Sequence, residues 1–192
     1  FLSRLRVNGC PQYCCMVATC GDDCGLAARQ WRKVMEAKGM TADAAYSVQM
    51  PNTYVIFPGF DVDKPEVEQR KLSAVPQAAD ALCRRIEAME KGDFTHHGSV
   101  AWLKSRIIYP WFMRHVDDTP FATTDACVGC GRCAAACPTA NITISSHKPQ
   151  WHGDCLNCLA CYHTCPHHAV AFGRRTSGKG QYTCPNNKST SK

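Results

Sequence analysis

Eight of the chain's fifteen cysteines fall into two runs of one spacing. The first is Cys127-x2-Cys130-x2-Cys133-x3-Cys137-Pro138, and the second is Cys155-x2-Cys158-x2-Cys161-x3-Cys165-Pro166. Thiolates are soft ligands that hold zinc or iron–sulfur clusters. Tetrahedral zinc would be served by two Cys-x2-Cys pairs and would leave half of these cysteines idle. The full run fits a 4Fe–4S cluster. Three cysteines at i, i+3 and i+6 wrap a tight loop around one face of a cube and offer a thiolate to each of three irons. The fourth points away from that cube and can reach the cluster of the other repeat. The spacing therefore predicts one cluster on Cys127, Cys130, Cys133 and Cys165, and a second on Cys155, Cys158, Cys161 and Cys137. Gly129, Gly131 and the alanines at 134–136 leave room for the backbone to come close.

The elements that must position these cysteines are themselves repeated. Each cysteine of the first run, and Pro138, recurs 28 residues later, and the apolar triplets 142–144 and 170–172 follow in register as short strands. Upstream the texture differs. Residues 13–19 read as a buried strand, 20–25 as a turn, and 26–38 as a helix stopped by Gly39. Residues 44–50 and 53–57 read as strands on either side of Pro51-Asn52. Strand, helix and strand in that order predict a parallel α/β layer. Residues 65–91 carry Val67, Leu72, Val75, Leu82, Ile86 and Met89 near helical spacing, with Pro76 expected to kink or divide the helix. An aromatic segment at 100–116, with Trp102, Tyr109, Trp111 and Phe112, reads as packing surface, and Pro110 argues against one straight helix. Residues 173–192 are rich in Gly, Ser, Thr, Asn and Lys and read as a tail. Within them, 173–180 nearly spells a phosphate-binding loop but lacks the hydroxyl residue after Lys179.

On these motifs, residues 121–175 resemble a clostridial-type two-cluster ferredoxin. The chain as a whole resembles flavodoxin–ferredoxin fusions of the EFR-family ferredoxin type, with the front of the flavodoxin part missing. The wider likeness rests on residues 16–25, 107–116 and 173–186. It implies an α+β fold, a ferredoxin-like two-cluster module preceded by a partial flavodoxin-like α/β segment. The implied division is 1–93 for that segment and its helix, 94–120 for an amphipathic linker, 121–175 for the two-cluster domain and 176–192 for a polar tail. In flavodoxins a loop like Thr19-Cys20-Gly21-Asp22 lines the flavin ring edge with backbone amides. They also need a phosphate loop after the first strand, and nothing in this sequence corresponds to one. FMN is thus expected only in the intact parent, and the chain alone is expected to purify without it.

The expected function is electron transfer by two low-potential 4Fe–4S clusters between redox partner proteins. The alternative is a flavin-plus-iron–sulfur oxidoreductase, its flavin site completed by further N-terminal sequence. Clusters with a purely structural role form a third reading. The formal charge is +6. Two oxidised clusters, each about −2 with its thiolates, would lower it to about +2, which removes the charge argument for nucleic acid. The longest apolar run, 107–113, is far short of the roughly 20 residues of a membrane span, so no transmembrane segment is expected. No export signal is visible, and cysteines in metal spacing rather than a disulfide framework predict a reducing cytoplasm. Of the remaining cysteines, Cys14, Cys15 and Cys83 read as packing residues, Cys10 and Cys184 as exposed, and Cys20 and Cys24 as loop neighbours. The pairs His96-His97 and His167-His168 read as solvated surface.

Overall fold

The apolar run at the start of the α/β region folds as β1 (Cys15–Cys20), and the helix formers after it fold as α1 (Ala27–Glu36). The structure, a computed structural model, describes residues 12–114 and 116–185, without the side chains of 104, 108, 111 and 113. Cys10 and residues 186–192 lie outside the described residues. Next come β2 (Ala44–Gln49), the long α2 (Pro65–Glu87) and the short β3 (Gly92–Phe94). The three strands form one parallel sheet in the order β1-β2-β3, with Cys15 opposite Ala44 and Ala44 opposite Gly92. The expected parallel layer is present. Its core is small: Ala28, Trp31 and Met35 of α1 pack with Ala45, and Cys14, Met16 and Met40 border them. Gly39 ends α1 at φ +70°, the left-handed position that glycine alone takes without strain.

Two expectations fail in this region, and one of the two effects expected of Pro76 is absent. Residues 53–57 form no strand. Val55 and Ile56 are buried, but in the core of the cysteine-rich unit. Side chains satisfy backbone groups there: the Asp63 carboxylate accepts from Asn52 N, and His163 Nε2 lies 2.6 Å from Thr53 O. Pro76 does not divide α2, which runs unbroken from 65 to 87. Cys83 is exposed rather than packed, since no residue of α2 is buried. The aromatic segment is helical in three pieces: α3 (Ala101–Leu103), a π turn (Lys104–Ile108) and α4 (Tyr109–Arg114). The π turn precedes Pro110, consistent with a chain that cannot run as one regular helix there.

The described residues divide into two compact units, one of 12–51 and 65–111, the other of 52–64, 112–114 and 116–185. Residues 52–64, grouped with the upstream segment by sequence, therefore belong to the cysteine-rich unit, and 94–120 is divided rather than a linker. In that unit β4 (Phe121–Thr123) pairs antiparallel with β7 (Val170–Phe172), and β5 (Ile142–Ser145) with β6 (Lys148–Trp151). Single-turn helices α5 (Arg132–Ala135) and α6 (Ala160–His163) lie between the strands. The core joins Phe121, Ile142, Leu159, Tyr162, Val170 and Phe172 to Val55 and Ile56. The expected tail does not begin at 176. Thr176 is buried at the end of a 3-10 turn, Tyr162 Oη donates to Lys179 O at 2.8 Å, and Gly180 N donates to Asp61 at 2.9 Å. Polar composition hid these backbone bonds. The chain is α+β, with separate parallel and antiparallel layers.

Candidate metal centre

Each cysteine run bends sharply, turns once as a helix, and bends again. Cys130 precedes Gly131 at φ +77°, which caps α5; Cys133 sits in α5; Cys137 follows it in a turn. Gly129, at φ +69°, admits no side chain, because a Cβ there would stand 2.7 Å from His147 O. The second run follows the same path through Leu159, α6, Cys161 and Cys165. Hydrogen bonds repeat with the spacing: Ala135 N to Gly131 O and His163 N to Leu159 O are both 3.0 Å.

This path collects the cysteines three and one. One cavity, open to solvent, is lined by Cys127, Cys130, Cys133 and Cys165. Another is lined by Cys155, Cys158, Cys161 and Cys137. In each case the fourth cysteine comes from the other run. Cys133, Cys161 and Cys165 are buried, whereas Cys130 and Cys158 are exposed. Among the described residues, no three His, Cys, Asp or Glu side chains converge as a single metal ion would need. The thiols surround a space instead, which suits a cube with iron at its corners. Every cysteine among the described residues is free.

The surroundings pull the sulfurs both ways, amides toward charge and burial against it. Backbone amides aim at three of these sulfurs at 3.3 Å: Asn141 N at Cys137, Ala169 N at Cys165 and Asn157 N at Cys155. Burial pushes Cys133 and Cys155 up, and pushes Cys161 up to about 12 against an opposing contact from Trp151. Burial also opposes ionisation of Cys137, but the Thr139 hydroxyl and the amides of Thr139 and Asn141 outweigh it, and that thiol ends below its ordinary value. Metal binding must therefore displace protons from most of the buried thiols. A donor set of four thiols per cavity, with amides at the sulfurs, fits iron–sulfur ligation.

Spacing alone did not expose three further residues of the site. Trp151 and Phe121 line the second cavity and stack with ring centroids 5.4 Å apart. Asn141 is buried and clamps the approach to Cys155: its Nδ2 donates to Asp118 at 2.8 Å, and its Oδ1 accepts from His152 N and Asp154 N. No motif marks these positions. His167 lines the first cavity, while His97 stands 3.5 Å from Asp93, the acidic residue four positions before it.

The other predicted site residues lie in the α/β unit. Thr19 and Cys20 end β1, and Gly21 and Asp22 follow directly, at the carboxyl edge of the sheet where α/β folds hold ligands. The Cys20 carbonyl accepts from Met50 N at 2.7 Å, and the Asp22 carbonyl from Gln49 Nε2 at 3.0 Å. Burial first, then a hydrogen bond with Cys24, pushes the Cys20 thiol up to about 12. No helix among the described residues is long and apolar enough to cross a membrane.

Residues 126–169 match the family model of the 4Fe-4S dicluster domain. Comparisons of the chain with curated proteins and with solved structures gave no match. The matched stretch contains all eight cavity-lining cysteines, and it is an iron–sulfur, ferredoxin-like module.

Proposed function

We propose that this module holds two 4Fe–4S clusters and that the protein passes single electrons between redox partner proteins. The carrying observation is the three-and-one grouping of cysteines in two separate cavities. Cys127, Cys130, Cys133 and Cys165 are the ligands of the first cluster; Cys155, Cys158, Cys161 and Cys137 are those of the second. When bound, each cluster takes up or releases one electron with no bond broken. The protein's residues do the rest. Crossed ligation ties the two halves of the module to each other. Exposed Cys130 and Cys158 bring the edge of each site to the surface, where a partner can approach. A reducing compartment such as the cytoplasm keeps the thiols available.

The test is anaerobic preparation followed by dithionite titration under electron paramagnetic resonance. About eight irons and eight acid-labile sulfides are expected, from eight thiolates in two four-thiolate sites. Both sites should reduce by one electron below about −250 mV, within the broad −700 to +450 mV span open to iron–sulfur proteins. Their spins should couple. Zinc, or a single 2Fe–2S cluster, would defeat the assignment. Clusters that accept no electron at any accessible potential would be structural instead.

A further inference from the structure

The indole of Trp151 is the one feature of the second cavity that coordination of the cysteines leaves unexplained. Trp151 closes β6 opposite Ile142, and its ring is held against Phe121, stacked within 10° of parallel. Phe121 is held in turn, edge-on, by Phe172 at 4.8 Å. The indole cannot swing toward water without breaking that stack. Its Nε1 is shielded from solvent and has no partner within full hydrogen-bond geometry, yet it stands near enough to the Cys161 sulfur to favour that sulfur's ionised form. A buried N–H without an acceptor is costly, and native proteins rarely leave one so. Trp151 also lines the cavity of Cys137, Cys155, Cys158 and Cys161, and no charged side chain shares that lining.

We infer that Trp151 donates its indole N–H to a sulfur of the second site and thereby makes that site easier to reduce. The inference rests on the reading of two bound clusters. Reduction adds a negative charge that spreads onto the sulfurs, so a donor there stabilises the reduced form more than the oxidised one, and the potential rises. Indole is a donor only and does not titrate in the ordinary range, so its effect does not depend on pH. The first cavity has no equivalent. Ile144, Pro149 and Val170 form its apolar wall, and its charged neighbours Arg132 and His167 are exposed, where water screens them. Trp151 is thus a positioning residue that sets a difference between two sites with the same ligands.

The experiment compares the anaerobic full chain with its Trp151→Phe variant, which keeps the stacking ring and deletes the donor. Iron and sulfide are measured first, then both potentials. The expected result is full loading, with one midpoint lowered by about 59 mV and the other unmoved. That shift is a tenfold loss in a one-electron equilibrium. Loaded protein in which neither midpoint moves, or both fall together, overturns the inference and leaves the cluster reading standing. A wild-type chain without iron and sulfide overturns both. A second measurement needs no variant: pulsed resonance on the reduced wild type labelled with ¹⁵N-indole should show nitrogen coupling to one cluster. If none is seen, the inference fails even where Trp151→Phe does not load.

Discussion

Residues 127–140 and residues 155–168 take one backbone path with different side chains. The left-handed positions recur at the repeat distance: 129 with 157, 131 with 159, and 140 with 168. In the first half two of them are Gly129 and Gly131; in the second they are Asn157 and Leu159. A left-handed L residue costs roughly 1–2 kcal/mol, but burying a leucine recovers about 1.5–3 kcal/mol. Leu159 is 1% exposed, so burial wins there. Gly129 has no such freedom, because the His147 backbone fills the space a side chain would need. The path is thus common property, set by where the cysteines must point. The residue at each bend answers to its own neighbours.

The sharpest way to break the comparison is to exchange the crossed ligands. Cys165→Ser should remove the first cluster and Cys137→Ser the second, each costing about half of the roughly eight irons of a two-cluster module. The survivor is identified by the Trp151-dependent potential. If Cys137→Ser spares the second site and empties the first, the crossing is wrong.

A smaller effect separates the bends. Gly129→Asn, which copies the second half into the first, should destabilise the module by about 3 kcal/mol or more, since backbone rather than a flexible side chain must yield. Asn157→Gly makes the reverse exchange and should change stability by less than about 1 kcal/mol, because glycine takes a left-handed φ freely. Asn157 also carries a buried Oδ1 with no partner, whose removal offsets lost packing. Denaturant midpoints of the two loaded variants test this. Equal losses would mean that both bends are constrained alike.

How much of this was legible follows from the range of each interaction. The cysteine repeat is written in spacings of three and four residues, so the eight thiols that line the two cavities could be picked out directly. β1, α1 and β2 also announced themselves, since their apolar patterns and the glycine stop are local. The flanks of the module were less visible. Val55 and Ile56 look like any strand pair, and nothing near them in sequence says that they bury among residues more than 60 positions away. Thr176 and Gly180 sit in tail-like composition, yet backbone bonds fix them. Pro76 was a misleading signal because its cost is local, whereas what holds α2 across it need not be. Trp151 was unreadable as a site residue because its role depends on a stack with Phe121, 30 positions earlier.

The smallest predicted effect concerns the clamp that only the second half possesses. Asn141 has its counterpart in Ala169, so the first site has no equivalent side chain. Around Asn141 four bonds converge: Nδ2 to Asp118, Oδ1 from His152 N and Asp154 N, and Asp118 from Gly153 N at 2.7 Å. They fix residues 152–154, which lead straight into Cys155. Asn141→Ala would leave the Asp154 amide and part of a carboxylate without partners, while His152 N keeps the backbone carbonyl of residue 141, at about 1–3 kcal/mol in a buried setting. Asn141 N itself, which points at Cys137, would remain. The variant should therefore load both clusters but release iron to a chelator faster from the second site, by roughly tenfold if about 1.4 kcal/mol of that loss falls on the holding of Cys155. The first site should release at its wild-type rate. Uniform acceleration would mean that the clamp supports the whole module, and the two halves would then be coupled through more than their crossed cysteines.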